Sequence, residues 1–228
     1  MRQIKVFLLL LIFPAALVWA QDGEDSSARL LMIKGFAESN DPEIKETALI
    51  ELENLLSQSP TPEEKDGAVD ILQFLASEGI TTITYEGMAL SKESSAIGAG
   101  AAELLGFYGD EGSVRTLVNV MNYGNDILPV GAAVTASSQI TTENRGSILQ
   151  AYGRILNVRR TVYDHEALIL ITLEAVARLS ESNEDVFENS EIMDGLSRVS
   201  RGSSGYRRKT RNMALELIRE AKMRKEAN

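Results

Sequence analysis

The stretch IGAGAAELLGFYGDEGSV, residues 97–114, decides between two interpretations of the chain. Closely spaced glycines are typical either of a loop that cradles a phosphate or of helices packed tightly together. A dinucleotide-binding loop needs the pattern G-x-G-x-x-G between a strand and a helix. Gly98 and Gly100 fit that pattern, but Glu103 stands where the third glycine belongs, and no β-rich run precedes it. Because a carboxylate there would repel a pyrophosphate, and because no Gly-Lys-Ser/Thr sequence occurs, we expect no phosphate-binding loop.

The same residues fit a helix that another helix approaches closely. Four of them share one helical face: Ala101, Ala102, Leu105 and Gly106. Their small side chains would permit a short distance between the two helix axes. The sequence Gly-Asp-Glu-Gly at 109–112 predicts the end of this helix and a turn, and Val114 begins the next apolar stripe.

Helical patterns recur along the rest of the chain. In DPEIKETALIELENLLSQ, residues 41–58, apolar side chains return every three or four positions. In the next segment, Thr61 and Glu64 have the spacing of a capping box. The β-branched run at 80–88 suggests a strand, but one short strand without a partner is unstable, so we expect a loop or an irregular helix there. The predicted fold class is all-α.

One segment of the chain matches another at an offset of 33 residues. GAVDILQFLASEG at 67–79 and GAAELLGFYGDEG at 100–112 share six identical residues in thirteen positions. The apolar and acidic positions of the two segments mostly agree as well. Self-similarity at this period is typical of a helical solenoid.

The arrangement resembles the short subtype of the HEAT repeat, which has the pattern Ala-Ala, Leu-Gly, Gly-Asp and then an apolar helix. The matching residues are Ala101-Ala102, Leu105-Gly106, Gly109-Asp110 and Val114 to Leu117. Weaker copies lie at Asp41 to Leu56, Asp164 to Leu179 and Arg208 to Ile218. The segment 126–157 departs from the pattern, because Gly131-Ala132-Ala133 is followed by Val-Thr-Ala-Ser-Ser. The resemblance implies a right-handed α-solenoid of about five helix pairs over residues 27–225, which binds other macromolecules and has no implied activity.

The N-terminus has the layout of an exported bacterial protein. Arg2 and Lys5 precede the apolar run from Val6 to Val18, and a small-residue site follows at Ala20. This predicts a signal peptide over 1–20 with cleavage before Gln21, and a short disordered linker over 21–26. The alternative is an uncleaved anchor, but the apolar run is short for a bilayer. With no cysteine in the chain, we expect a periplasmic or secreted location in a bacterial envelope, and no stable membrane span after cleavage.

The sequence gives little support for catalysis. His165 is the single histidine, and neither a second histidine nor a cysteine exists to complete a zinc site. His165 lies between Asp164 and Glu166, a polar sequence that is typical of the start of a helix. We favour that structural role over a role as general base. No G-x-S-x-G sequence occurs, although the sequence does not exclude a catalytic pair of a serine and a lysine. We therefore predict no catalytic residue, no metal and no cofactor. A cleft in the structure that brings His165 together with serines or carboxylates would favour a hydrolase instead.

Charge is distributed unevenly along the chain. Residues 21–197 hold 30 acidic and 11 basic side chains, whereas residues 198–228 hold 10 basic and 3 acidic ones. The basic side chains are densest in one stretch, and its five candidate partner-binding residues are Arg201, Arg207, Arg208, Lys209 and Arg211. This stretch either docks an anionic partner or merely solubilises a terminal repeat.

These observations predict a non-enzymatic scaffold for protein–protein interaction. The expected partner is a protein or an anionic component of the envelope, and an acidic exported protein is poorly suited to nucleic acid. The alternative is an assembly factor that docks, or associates with itself, through its basic C-terminal end. A hydrolase is the remote alternative.

Overall fold

A computed structural model describes residues 27–78, 80, 85–86, 89–90, 92–140, 145–157 and 165–227. The predicted signal peptide and linker lie outside these residues. Ten α-helices occupy most of the described part. Their bounds are α1 27–37, α2 Pro42–Ser57, α3 Pro62–Ala76, α4 Lys92–Tyr108, α5 Glu111–Tyr123, α6 Ile127–Ser137, α7 Arg145–Asn157, α8 Glu166–Ser182, α9 Ser190–Ser200 and α10 Arg208–Ala227. The all-α prediction is confirmed.

A small hairpin is the exception to the helical architecture. Strand β1, Tyr85–Glu86, pairs antiparallel with strand β2, Ala89–Leu90, so that Tyr85 lies opposite Leu90. We expected a loop or an irregular helix here because a lone strand has no partner. Strand β2, which follows almost immediately in the chain, is the partner of β1. The expectation that a strand here would lack a partner was therefore wrong.

Polar side chains satisfy the first backbone N–H groups at the starts of several helices. Before α2, the Asp41 carboxylate accepts from the Glu43 N–H at 3.0 Å. The capping box before α3 is confirmed, since the Thr61 N–H donates to Glu64 Oε2 at 2.8 Å and the Glu64 N–H donates to Thr61 Oγ1 at 3.3 Å. Asp110 caps α5 by accepting from the Ser113 N–H at 2.6 Å.

The helices divide into two compact units, Met1–Ile71 and Leu72–Asn228, and the division falls within α3. In the first unit, the buried residues of α1 and α2 include Ile33, Ala48 and Leu52, each fully buried. The apolar pattern of α2 is not buried at every position, because Ile44 is 38% exposed. A Cβ on Gly67 of α3 would lie 2.9 Å from Leu30 of α1, so this glycine permits close packing of the two helices.

In the second unit, helices alternate in their packing partners. Helix α4 packs on α6, α6 packs on α8, and α8 packs on α10. The intervening helices form a second series in which α5 packs on α7 and α7 packs on α9. Consecutive helices connect the two series, as between α5 and α6 or between α9 and α10. Each helix therefore contacts the helix two places along the chain as well as its immediate neighbour.

Glycines make the closest of these contacts. A Cβ on Gly106 of α4 would lie 2.8 Å from the Cβ of Ala136 in α6, which is closer than real Cβ contacts come. A Cβ on Gly195 of α9 would lie 2.5 Å from the Cβ of Leu156 in α7. Ala101, on the same face of α4 as Gly106, is fully buried. The predicted packing of a neighbouring helix against this small-residue face is confirmed.

Among the described residues of the second unit, Tyr152 is the largest fully buried side chain, and its hydroxyl is hydrogen-bonded. It donates to the Val134 carbonyl oxygen at 2.9 Å and lies 2.9 Å from Ser137 Oγ. Burial raises the pKa of the phenol far above its usual range, although the hydrogen bond to Ser137 and the charge of Arg178 oppose this. Burial and the charge of Asp110 also raise the pKa of Tyr108, to about 12.

These pKa shifts predict a loss of stability at alkaline pH. A folded-state pKa above the unfolded value of about 10 gives stabilisation that is complete below pH ~10 and is lost as the pH rises further. Tyr152→Phe removes one such group, so its free energy of unfolding should fall less steeply above pH 10, by up to about 1.4 kcal/mol per pH unit. Denaturant titrations of the variant and the intact chain between pH 8 and 11.5 measure this. Parallel curves for the two proteins would contradict it.

None of the described helices combines the length and the apolar character that crossing a membrane requires.

Candidate functional site

The basic residues predicted to bind a partner lie at the junction of α9 and α10. Arg201 ends α9, a 3-10 turn spans Gly202–Ser204, and Gly205 takes a left-handed conformation at φ 83° that lets the chain reverse. Arg207 then directly precedes α10. The structure thus brings the predicted residues to one turn and the first helical turn after it, a region that we call the basic junction (residues 201–211).

Glu166, at the start of α8, holds the basic junction in place. Its Oε1 accepts from the Arg207 N–H at 2.9 Å and from the Thr210 hydroxyl at 2.6 Å. Its Oε2 also lies 3.5 Å from Arg207 Nε. The Glu166 side chain is 14% exposed and Thr210 is 2% exposed, so the bond between them is largely shielded from water. Glu166 therefore caps α10 from another helix, a contact across 41 residues that the sequence pattern did not reveal.

The predicted basic side chains differ in their exposure and in whether they form an ion pair. Arg207 is paired with Glu166, and the Nε atom of Arg211 is buried without a hydrogen-bond partner. Arg201, Arg208 and Lys209 are exposed and make no ion pair within the described residues. These three are the cations of the basic junction that remain available to an external anion.

Two further arginines of this region have structural roles. Arg198 donates to the carbonyl oxygen of Asn157 at the end of α7. Arg224, near the end of α10, is only partly exposed. Its guanidinium lies 5.4 Å from the centre of the Phe187 ring, and it donates to the Ser180 carbonyl oxygen at 2.6 Å. A guanidinium gains from both contacts because it can stack on an aromatic face while its edge donates hydrogen bonds.

His165 directly precedes α8, as the sequence suggests, and its side chain does not cap the helix. It lines a pocket of about 130 Å³ that it shares with Asp126 and Asn122. The pocket thus joins His165 to a carboxylate, which is the arrangement named above as favouring a hydrolase. However, Asp126 Oδ1 accepts from the Leu128 N–H at 2.9 Å and Oδ2 accepts from Ser95 Oγ at 2.5 Å.

These bonds give the carboxylate a capping role at the start of α6. In the described part of the chain, the His165 side chain has no hydrogen-bond partner, so neither a Ser–His pair nor an Asp–His pair is formed. The described residues also contain no group of three or more His, Cys, Asp or Glu side chains that could hold a metal ion. The pocket is large enough to hold a small group, but the described residues around it do not form a hydrogen-bonded pair of nucleophile and base.

Two features of the second unit thus carry potential for binding. One is the exposed basic junction, which the sequence predicted from charge. The other is the pocket beside His165, whose walls come from four separate helices and could not be assembled from the sequence. Comparison of the chain with protein-family models, with curated proteins and with solved structures finds no match.

Proposed function

We propose that this chain is an exported HEAT-like protein that acts as a non-enzymatic scaffold in the periplasm or outside the cell. It docks an acidic protein partner through the basic junction. The proposal combines the N-terminal sequence layout, the packing of the helices and the charge at the α9–α10 turn.

The alternating contacts of the second unit support a solenoid. In helical repeat proteins each repeat contacts its neighbours, so equivalent helices stack on one another in two series. The series α4, α6, α8, α10 and the series α5, α7, α9 have this relationship. The links at 109–110 and 124–126 are short, which also suits antiparallel helix pairs. The HEAT resemblance implies a right-handed solenoid of about five pairs, and we propose that arrangement; the contacts of the second unit support its stacking.

The exposure of Arg201, Arg208 and Lys209 is the single observation that carries the docking proposal. These three cations have no ion pair within the described residues, and they lie within eight positions of one another around one turn. The first turn of α10 has no acidic residue of its own to offset their charge. Glu166 pairs with Arg207, and backbone carbonyls accept from Arg198 and Arg224, so the free cations lie beside basic side chains that the fold already holds. Such a surface attracts and orients a partner with clustered carboxylates.

A crosslinking pull-down from the native envelope tests this. We expect the intact protein to capture a partner that Arg208→Glu/Lys209→Glu loses, because two charge reversals replace attraction by repulsion. Lys222→Glu/Lys225→Glu makes the same change in net charge on exposed residues at the other end of α10. That matched control should keep the partner.

Equal loss in both double variants would mean that net charge, and not the basic junction, controls capture. Equal retention in both would move the binding surface elsewhere on the chain. Circular dichroism of all three proteins distinguishes either result from unfolding.

Self-association is a second candidate function, favoured by the opposite charges of the two parts of the chain. Residues 21–197 carry an excess of 19 negative charges, and residues 198–228 carry an excess of 7 positive charges. A basic junction could therefore dock on the acidic surface of another copy. Sedimentation velocity at low and high salt tests this, since a monomer under both conditions would exclude it.

A further inference from the structure

The pocket beside His165 lies next to the basic junction. Tyr206, a residue of the basic junction, is among the residues that line the pocket, and so is His165. Their chain neighbours Arg207 and Glu166 are joined by the 2.9 Å hydrogen bond from the Arg207 N–H to Glu166 Oε1. The edge of the pocket is therefore one residue away from the contact that holds the basic junction in place.

The pocket opens to solvent, and its wall is mainly apolar. Its lining residues include Asn125, which is exposed, and Ile127 and Leu168, which are partly exposed. Met121 and Ile155 also line it and are buried. A group that enters from solvent would therefore pass a polar mouth and come to lie against apolar residues.

The volume of the pocket suits a single side chain. It is about 130 Å³. A protein cavity of about 150 Å³ holds one benzene molecule. Benzene is the ring of a phenylalanine side chain, so the pocket has room for one phenyl ring whose outer edge stays at the open mouth.

The pocket and the basic junction differ in the groups that they favour. Among the described residues that line the pocket, none is a lysine or an arginine and one, Asp126, is acidic. A carboxylate inside the pocket would therefore lose water without gaining a cation. Arg208 is exposed and lies two positions after Tyr206, so their Cα atoms are at most about 7.6 Å apart. The pocket thus favours an apolar group, and the cations beside it favour carboxylates.

We propose that the acidic partner of the basic junction inserts one phenylalanine side chain into this pocket. The proposal rests on the docking function proposed above and identifies the partner by a segment in which a phenylalanine is flanked by carboxylates. An extended segment advances about 3.3 Å per residue, so a carboxylate two or three positions from the phenylalanine reaches the surroundings of Arg208. Interfaces commonly concentrate their binding energy in such a buried aromatic anchor with a polar rim around it.

Three heptapeptides test the proposal in nitrogen-15 NMR titrations of the full chain at equal ionic strength. The first has two glutamates on each side of Gly-Phe-Gly, the second has alanine in place of the phenylalanine, and the third has glutamines in place of the glutamates. With the first we expect saturable shifts at residues 124–127 and 165–169 as well as at 206–211. The alanine peptide should bind about tenfold more weakly and lose the shifts around the pocket, because it buries no ring. Equal binding of these two peptides, or no saturable shift around the pocket with the first, would overturn the proposal.

Ile127→Asn tests the wall of the pocket without a change of charge. It should weaken binding of the phenylalanine peptide about fivefold, because a polar amide replaces apolar surface beside the ring. Leu128→Asn makes the same change at the next residue, which is 54% exposed and is not among the described residues that line the pocket. This matched control should leave binding unchanged, and equal binding by the two variants would contradict the placement of the ring. If Ile127→Asn does not fold, the comparison of the first two peptides decides the question without it.

The glutamine peptide distinguishes failure of this proposal from failure of the docking function on which it rests. It should bind more weakly than the glutamate peptide, because it keeps the ring and lacks the carboxylates. If it binds equally tightly, the docking function fails, and an acidic partner is overturned with it. If instead the alanine peptide keeps tight binding and the glutamine peptide loses it, the docking function stands and the phenylalanine anchor alone is overturned.

Discussion

Gly195→Ala should lower the free energy of unfolding by about 2 kcal/mol, because the added methyl group has no space. Its Cβ would lie 2.5 Å from the Cβ of Leu156, and Leu156 is fully buried. Neither backbone can retreat without separating α9 from α7. Alanine is intrinsically better than glycine within a helix by about 1 kcal/mol, so a net loss would show that packing outweighs helix propensity. Urea titration followed by circular dichroism measures the change.

Gly146→Ala is the matched control for this prediction. Gly146 lies in α7, one of the two helices in the tested contact, and a Cβ there would meet no atom within 4 Å. The control should unfold at the same urea concentration as the intact chain or a slightly higher one. Equal stability of the Gly195 and Gly146 variants would contradict the close contact between α7 and α9.

Glu166→Ala should destabilise the protein by about 2–3 kcal/mol. The substitution leaves the Thr210 hydroxyl buried without its acceptor and leaves the Arg207 N–H without its cap. Glu166→Gln should cost less than about 1 kcal/mol, because the amide oxygen still accepts both hydrogen bonds and only the ion pair is lost. Arg207 is 80% exposed, and an ion pair with one exposed partner contributes little. Thermal and urea unfolding of the two variants give the comparison.

Glu174→Ala controls for the loss of a carboxylate from α8, since Glu174 is exposed on the same helix. It should leave stability within about 0.5 kcal/mol of the intact chain. If Glu166→Ala matched this control, Glu166 would not be holding the start of α10.

The helices and their ends could be predicted from the sequence because the signals are local. A capping residue and the amide that it binds are two or three positions apart, as for Asp41 and Thr61. The apolar spacing of α3 is an equally local signal, and its residues Leu72 and Leu75 are fully buried. The close approach at Gly106 also followed from a local pattern of small residues.

Long-range polar contacts could not be predicted in the same way. The partners of Glu166 lie 41 and 44 positions along the chain, and no spacing rule connects them. Arg224 lies near the end of α10, where a basic side chain usually points into solvent. Its guanidinium packs instead over the ring of Phe187. The pocket joins Asn122 to His165 only because α5 and α8 are brought together by α6. Tertiary packing decides such contacts, and they leave no regular spacing in the sequence from which they could be predicted.

Hydrogen exchange of the protein with and without its captured partner tests the central claim most directly. If an acidic protein docks on the basic junction, the amides of residues 201–211 should exchange more slowly in the complex, and the amides around Lys222 and Lys225 should not change. Protection confined to the acidic helices, with none over 201–211, would contradict the docking site that we propose.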